Sequence, residues 1–443
     1  MEIKILSRET VKPSTPTPHY LRNFKLSVFD QLAPPFYVPI TFFYPNNADL
    51  LNNTAQTLAH LKKSLSQTLT RYYPLAGRIK DSVSVDCNDK GVSYTEALVN
   101  CKLSSFLRQP DLNFLNNFIS CQSNCLQDHA EYLVALQVTV FECGGIVIGS
   151  GILHKLCDGM TMSAFFNCWG ETARGLDKVV KLDLTTGSIL FPARDSLPPK
   201  ISSFITDLIF QETTQCLMRR FVFGPQAIAA LKAKATSTDI PNPSRVEVLT
   251  AFICKLMVAA AKTLTGITST SMVTHAIDMR RRIKPPLPRD SFGNLIWLGV
   301  GFCSPSEKEL ELHELVEIIR DIFRSLDSND IGALQGNEGF ALLTEIIKEG
   351  GNVRAQKVNT YKFTSWCNMG FYDVDFGWGK PVWVGYMGDI LGTRGKREIV
   401  LLETRSGDGV EVWFVSDELE LAILENDPEF LAYVSSNPYV PLH

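Results

Sequence analysis

The sequence predicts an α/β protein built from two domains. Three observations predict it. The 443 residues exceed what one ordinary core encloses and suggest two domains of roughly 200 residues each. Hydrophobic residues make up 45% and charged residues 20%, so burial offsets ordering entropy and a folded chain is expected. Strand-like and helix-like segments mix along the whole length, without a regular βαβα rhythm and without an internal repeat.

The chain opens in extended form, punctuated by Pro13, Pro16 and Pro18. A helix is expected over 49–69, where Leu58, Leu61, Leu65 and Leu69 recur at three- and four-residue steps and form one apolar stripe. Tyr73-Pro74-Leu75-Ala76-Gly77-Arg78 ends it in a turn. Short strands are expected at 82–86 and 92–94. The β-branched and aromatic run 132–141, the turn Cys143-Gly144-Gly145 and the returning run 146–153 read as an antiparallel hairpin. His154 stands at the end of its second strand. Gly159 and Met160 open a helix that runs to about Arg174 and stops at Gly175, a residue suited to a left-handed cap.

Pro192, Pro198 and Pro199, set among polar residues, mark an interdomain crossover. The expected division is a first domain over 1–190, a linker over 191–210 and a second domain over 211–443. In the second half, helices are expected at 225–235, 245–264 and 307–326. Strands are expected at 271–277, 295–302, 382–386 and 398–403, with a terminal helix after Ser416.

The net charge of −4, from 43 basic and 47 acidic residues, argues against a nucleic-acid surface, which needs a cationic excess. No apolar run reaches the roughly 18 residues that span a bilayer. The first residues, broken by charge and proline, do not read as a signal peptide. The 11 cysteines fit reduced thiols in a cytoplasmic protein, most of them filling core space. Cys121 and Cys125 lack a second Cys/His pair, so no metal is expected there. The chain contains no phosphate-binding G-x-x-x-x-G-K-[ST] loop, no strand-linked G-x-G-x-x-G and no G-x-S-x-G elbow. Nucleotide hydrolysis, dinucleotide redox chemistry and serine-hydrolase chemistry lose support.

Two motifs carry chemistry. In His154-Lys155-Leu156-Cys157-Asp158-Gly159, a histidine at a strand end projects into a cleft, and its near-neutral pKa suits proton removal from an alcohol. Asp158, four residues on, orients the histidine or pairs with an arginine. Alone, the motif favours a satisfied structural histidine. A shared metal lacks a third ligand, and Cys157 lacks a base of its own. Asp375-Phe376-Gly377-Trp378-Gly379 is far rarer by chance and reads as a tight loop under a large ring. Its aspartate is expected to pair with an arginine.

With these motifs mid-chain and near the C-terminus, the sequence resembles the plant BAHD acyltransferases, and within them the alkaloid-acetylating branch. The resemblance covers nearly the whole chain. Supporting runs are Ser14-Thr15-Pro16-Thr17-Pro18, the Tyr73–Arg78 turn, Val85-Asp86-Cys87-Asn88-Asp89, Ser291-Phe292-Gly293-Asn294, Phe363-Thr364-Ser365-Trp366-Cys367 and Thr404-Arg405-Ser406-Gly407-Asp408-Gly409.

The resemblance implies two similar chloramphenicol-acetyltransferase-like domains, with mixed sheets and a channel between them. Acyl-CoA enters from one face and a small-molecule alcohol from the other. His154 is the implied general base, and transfer is direct. Asp158 completes the catalytic motif by holding the histidine loop. Thr364 and Trp366 stabilise the oxyanion. Asp375, with Gly377, Trp378 and Gly379, forms a structural motif in which Asp375 pairs with Arg280. Ser244, Arg245, Lys255, Ser291, Gly293, Asn294 and Ser365 match the CoA side. Acetyl-CoA is a co-substrate, no cofactor or metal is held permanently, and a monomer is expected.

The sequence departs from this pattern at Leu153, where a serine is common, and at Asn368, where an arginine is common. The implied reaction is O-acetylation of an alkaloid or terpenoid hydroxyl. A malonyl or longer acyl-CoA donor is an alternative with the same chemistry. A non-catalytic ligand-binding member is an alternative of a different class.

Overall fold

Long apolar runs become the central strands of two sheets. The computed structural model describes residues 1–46, 53–120, 131–176, 182–198, 201, 216–267, 269–303, 311–354, 358–386 and 396–442. In Tyr37–Tyr44, Val134–Phe141 and Ile146–Leu153 every residue is buried, the pattern of strands covered on both faces. The first sheet runs in the order Ile3–Val11, Val92–Val99, Val134–Phe141, Ile146–Leu153, Tyr37–Tyr44 and Trp383–Tyr386. All its pairings are antiparallel except that between Val92–Val99 and Val134–Phe141. The expected hairpin is present, with Val140 opposite Ile146.

The second sheet runs Ile296–Cys303, Ser271–Asp278, Asn359–Ser365, Glu398–Glu403, Val410–Asp417, Cys216–Phe223 and Ser435–Ser436. Asn359–Ser365 is parallel to both its neighbours. Both large sheets are mixed, as the resemblance implies. The small third sheet joins Asn23–Lys25, Ser84–Asp86 and Arg78–Asp81.

Helices cover the sheets. Thr54–Arg71 buries the expected stripe of Leu58, Leu61, Leu65 and Leu69; the earlier start, at 49, lies outside the described residues. Gly159–Ala173 packs against it. Arg245–Thr265 starts at a Ser244/Glu247 capping box and ends at left-handed Gly266. It is long and apolar enough to cross a membrane by composition, but 61% of its most apolar window is buried inside the protein. It is the central helix of the second core. The terminal helix after Ser416 is Glu418–Glu425.

The strand Trp383–Tyr386 and the loop before it belong to the first sheet, although they lie in the second half of the chain. Phe376 packs on Trp169 and Tyr44, and Trp378 packs on Tyr44 and Phe376. The cause is a buried polar lock. Arg220 forks onto both carboxylate oxygens of Glu411 at 2.8 Å, and Trp383 Nε1 donates to the same carboxylate. Trp383 also stacks on Trp413. This charge pair and the stacked indoles tie the first sheet to the second. The expected crossover lies partly outside the described residues. Its first part, with Phe191, joins Val28, Phe29, Met279, Leu295, Leu334 and Leu343 in a third apolar cluster between the two halves.

The extended opening is the strand Ile3–Val11. Elements not expected from the sequence are the strands Cys216–Phe223, Asn359–Ser365 and Val410–Asp417 and the helix Gly336–Arg354. The nine described cysteines are free thiols, and five of them are buried. Cys121 and Cys125 lie outside the described residues.

His275 sits in the second sheet against Phe323 and Phe363. Burial pulls its pKa down from 6.5 to about 4, with a partial offset from its bond to the Ala276 carbonyl. The unfolded chain therefore binds this proton first. Stability from a neutral His275 is full above pH 6.5 and declines as pH falls towards about 4. The loss is about 3 kcal/mol. Denaturant titrations across that window should show this decline, and His275→Leu should remove it.

Candidate active site

The hairpin strand Ile146–Leu153 delivers His154 to the gap between the two sheets. The backbone N–H of His154 donates to the Phe36 carbonyl at 2.8 Å, and its ring meets the Phe36 ring edge-on at 5.4 Å. Its Nδ1 lies 3.1 Å from Asn294 Oδ1. The Asn294 amide nitrogen donates to Asp30 Oδ1 at 2.9 Å and to the His154 carbonyl at 2.7 Å. Both partners accept only, so the amide oxygen must face the ring. That oxygen also accepts only. Nδ1 therefore carries the proton, and Nε2 is the basic nitrogen of the ring.

Asp30 anchors this chain. Its carboxylate accepts from the Asn294 backbone N–H and amide, and from the Ser27 backbone N–H and hydroxyl. Burial raises its pKa, and these four bonds oppose the rise. Gly293 comes so close to Asp30 that a Cβ there would lie 3.4 Å from Oδ1, and its φ is +108°, a conformation that favours glycine.

Asp158 points away from the histidine ring. It caps the helix Gly159–Ala173 by accepting from the Thr161 N–H. Arg280, fully buried, forks onto it at 2.7 and 3.0 Å. The Leu295 N–H adds a further bond. Burial pushes the Asp158 pKa up, but the guanidinium and the two N–H donors outweigh burial and hold it below the usual carboxylate value. Arg280 also bonds to Asp278 and to the carbonyls of Ser291 and Gly293. The helix after the histidine and the loop that carries Asn294 thus share one ion pair.

One expectation needs correction. Arg280 pairs with Asp158 and Asp278, not with Asp375. Asp375 instead accepts from the N–H groups of Gly377 and Gly379 at 2.8 and 3.0 Å and pairs with Arg174 at 3.5 Å. The reason is position: its loop packs on the first core, beside the end of Gly159–Ala173. The seven residues matched to the CoA side lie on several elements. Ser291, Gly293 and Asn294 lie beneath His154, where Ser291 donates to Asp183. Ser244 caps its helix. Lys255 lies eleven residues further along that helix, paired with Glu429. Arg245 is on a rim, bonded to Gly407, Asn368 and Glu403. Ser365 accepts from the Cys367 N–H. Asn368 is held at positive φ between Arg245, Arg289 and Glu403.

His154 and Thr364 line one cavity of about 320 Å³. Most of its wall is apolar, including Phe29, Phe36, Trp297, Leu298, Leu343 and Ile346. Trp366 is buried instead among Phe371 and Tyr386, with its indole nitrogen against Gly159.

A second, open groove of about 780 Å³ is lined by Glu247, Arg281, Arg282, Lys284, Arg320 and Arg324, among others. Its carboxylates are committed. Glu247 binds Arg320 and its own helix cap, and Asp327 caps the helix Ser328–Ala333. Arg281, Lys284 and Arg324 are exposed, so the groove presents net positive charge. The loop 279–294 runs from this groove to Asn294. Sequence reading missed both Asp30 and the groove. The capping-box spacing Ser27-x-x-Asp30 and the cationic run Arg280-Arg281-Arg282-Ile283-Lys284 were the available signals.

The Transferase family model matches residues 1–431. The chain is 46% identical over 447 residues to akuammiline synthase 2 of Alstonia scholaris, covering 99% of this chain and 98% of that protein. It is 36% identical to a limonoid 7-O-acetyltransferase of Citrus sinensis, covering 99% of each. The crystal structure of vinorine synthase superposes with a TM-score of 0.82 at 32% identity, covering 98% of this chain and 99% of that one.

Two variants test the site's supports. Asn294→Leu should lower kcat at least about tenfold, because the ring loses the partner that fixes its tautomer; steady-state kinetics on folded protein reads this. Asp375→Ala should lower unfolding free energy by about 0.5–1.5 kcal/mol through the lost bonds to two exposed N–H groups. It should leave kcat per folded molecule near normal, as denaturant melts and active-site titration would report.

Proposed function

Because this chain belongs to the Transferase family, that of the BAHD acyltransferases, it is an acyltransferase, and we propose that it acetylates a hydroxyl of an alkaloid or terpenoid from acetyl-CoA. One observation carries this reading. The basic nitrogen of His154, Nε2, belongs to a side chain that lines an apolar cavity large enough for a polycyclic guest.

In the proposed reaction, Nε2 accepts the proton of the acceptor hydroxyl as its oxygen attacks the thioester carbonyl. A C–O bond forms, and the carbonyl π electrons move to oxygen. Collapse of this tetrahedral intermediate breaks the C–S bond. The CoA thiolate leaves and takes the proton from the imidazolium, which returns the histidine to its starting state. No acyl-enzyme forms. The positive charge on the ring is stabilised by the amide oxygen of Asn294, which Asp30 holds turned towards the ring. Thr364, on the cavity wall with His154, is the residue we place at the developing oxyanion. Trp366 serves by packing against Gly159 at the start of the helix.

For the donor, the cationic groove at Arg281, Lys284 and Arg324 suits the phosphates of CoA. Its link to the histidine through the loop 279–294 supports placing the thioester at one end of that path. Arg245 and Asn368 form a neighbouring rim. The proposed enzyme acts as a monomer in the cytosol.

The test is incubation with acetyl-CoA, malonyl-CoA and a panel of polycyclic alkaloid and terpenoid alcohols, with products read by mass. Acetyl transfer to some member is expected. His154→Ala should reduce turnover by about a hundredfold or more, the scale for losing a general base. Near-normal turnover in that variant would sink the mechanism, and no transfer across the panel would favour a ligand-binding role.

A further inference from the structure

The floor of the cavity beside His154 is one face of the second sheet, and it runs further than the acyl transfer needs. Antiparallel pairing sets Leu298 opposite Ala276, Val300 opposite Thr274 and Phe302 opposite Met272. The parallel pairing of His275 with Phe363 puts Thr364 in line with Ala276. Leu298, Val300, Ala276, Thr274, Met272 and Thr364 all line the cavity with His154. The row of Leu298, Ala276 and Thr364 is nearest the histidine, because Asn294, which bonds to His154, lies just before the strand Ile296–Cys303. From Leu298 to Phe302 that strand advances about 13 Å. Lys362 and Glu398 stand on the inner side of the middle row. The two outer strands carry no charged side chain in these three rows.

The outer edge of this floor is open to water. Leu298, Val300 and Phe302 are 40%, 41% and 38% exposed. The helix Gly336–Arg354 walls the same cavity with Leu343, Ile346 and Ile347, and its Leu342 and Ile346 are exposed to a similar degree. Among the described residues, Ile296–Cys303 is an edge strand. Edges are usually blunted with charge or proline, since an exposed apolar edge invites aggregation. Polar side chains at these half-open positions would cost the fold little. The strand is pressed down from its other face: a Cβ at Gly299 or Gly301 would lie 2.7 or 2.6 Å from Ile322. An open apolar strip on a fixed strand, continuous with the cavity that holds the base, has the character of a ligand groove rather than of a folding requirement.

We propose that this strip seats the far end of the acceptor, and that Val300 is a specificity-determining residue that measures its length. The acceptor class is then an elongated, rigid polycyclic alcohol. Its reacting hydroxyl lies at one end, against His154, and its apolar far end rests on Val300, Met272 and Phe302. Covering that strip with the guest takes apolar surface of both out of water. This rests on the acyltransferase reading for the hydroxyl at His154, and deepens it.

The experiment is calorimetric binding to the full-length protein of matched polycyclic alcohols that share the hydroxyl-bearing rings and differ by one added carbocycle at the remote end. Terpenoid and indole-alkaloid skeletons supply the pairs. The wild type should bind the extended member of at least one pair about tenfold more tightly, the scale for burying the surface of one more ring. Val300→Asp should bring that ratio close to one, because the added ring would strip water from a carboxylate. Val300→Ile, which stays apolar, should keep most of it. No preference for the extended member in any pair, or a ratio unchanged in Val300→Asp because both members weaken equally, overturns the proposal. A wild-type dimer in sedimentation that Val300→Asp dissociates also overturns it, since the strip would then be an interface between copies. Preference for the extended member without any acetyl transfer would uphold the seat and place the failure in the proposed acetylation.

Discussion

The ion pair between Asp158 and Arg280 is the constraint on which the site depends. Both groups are almost completely excluded from water, so neither tolerates loss of the other; breaking such a pair by removing one partner costs about 3–5 kcal/mol. Asp158 opens the helix that follows His154. Arg280 gathers the carbonyls of Ser291 and Gly293 from the other half of the chain. The pair fixes where the loop 279–294 ends, and hence where Asn294 meets the histidine. An aspartate that appears catalytic by its spacing is thus the foundation beneath the base.

A second chain of bonds sets the chemistry. Asp30, Asn294 and His154 form a line in which each group has one allowed orientation. Asp30 receives four donors, Asn294 is turned by two acceptors, and the ring is left one tautomer. The three residues come from distant parts of the sequence, so the line exists only when the halves are docked. The Arg220–Glu411 pair, the stacked Trp383 and Trp413, and the apolar cluster around Phe29 and Leu295 hold them docked. The result is an apolar cavity on one side of the histidine and a cationic groove at the far end of its supporting loop.

Much of this was legible in the sequence, and the illegible part has physical causes. The hairpin 132–153 and the helix after Asp158 were readable because turn chemistry and capping act locally. The leucine stripe at 58–69 was readable because one helix face is buried. The family was readable from two motifs together, His154 to Asp158 and Asp375 to Gly379. What could not be read was pairing at a distance. Nothing local distinguishes Asp158 from Asp375 as the partner of Arg280. Nothing local says that Trp383–Tyr386 joins the first sheet, because that depends on Glu411 and Arg220. Lys255 read as a phosphate ligand by its place in a matched region, but the helix turns it towards Glu429. Asn294 was found by its motif, but its bond to His154 could not be read.

The central claim is that the protein holds His154 neutral with its proton on Nδ1, leaving Nε2 as the base. Nitrogen-15 NMR of the imidazole, at mildly alkaline pH where an ordinary histidine is neutral, measures this directly. A protonated Nδ1 and an unprotonated Nε2 for His154, lost in Asn294→Leu, is the predicted result. A proton resident on Nε2, or an unchanged spectrum in that variant, would contradict it.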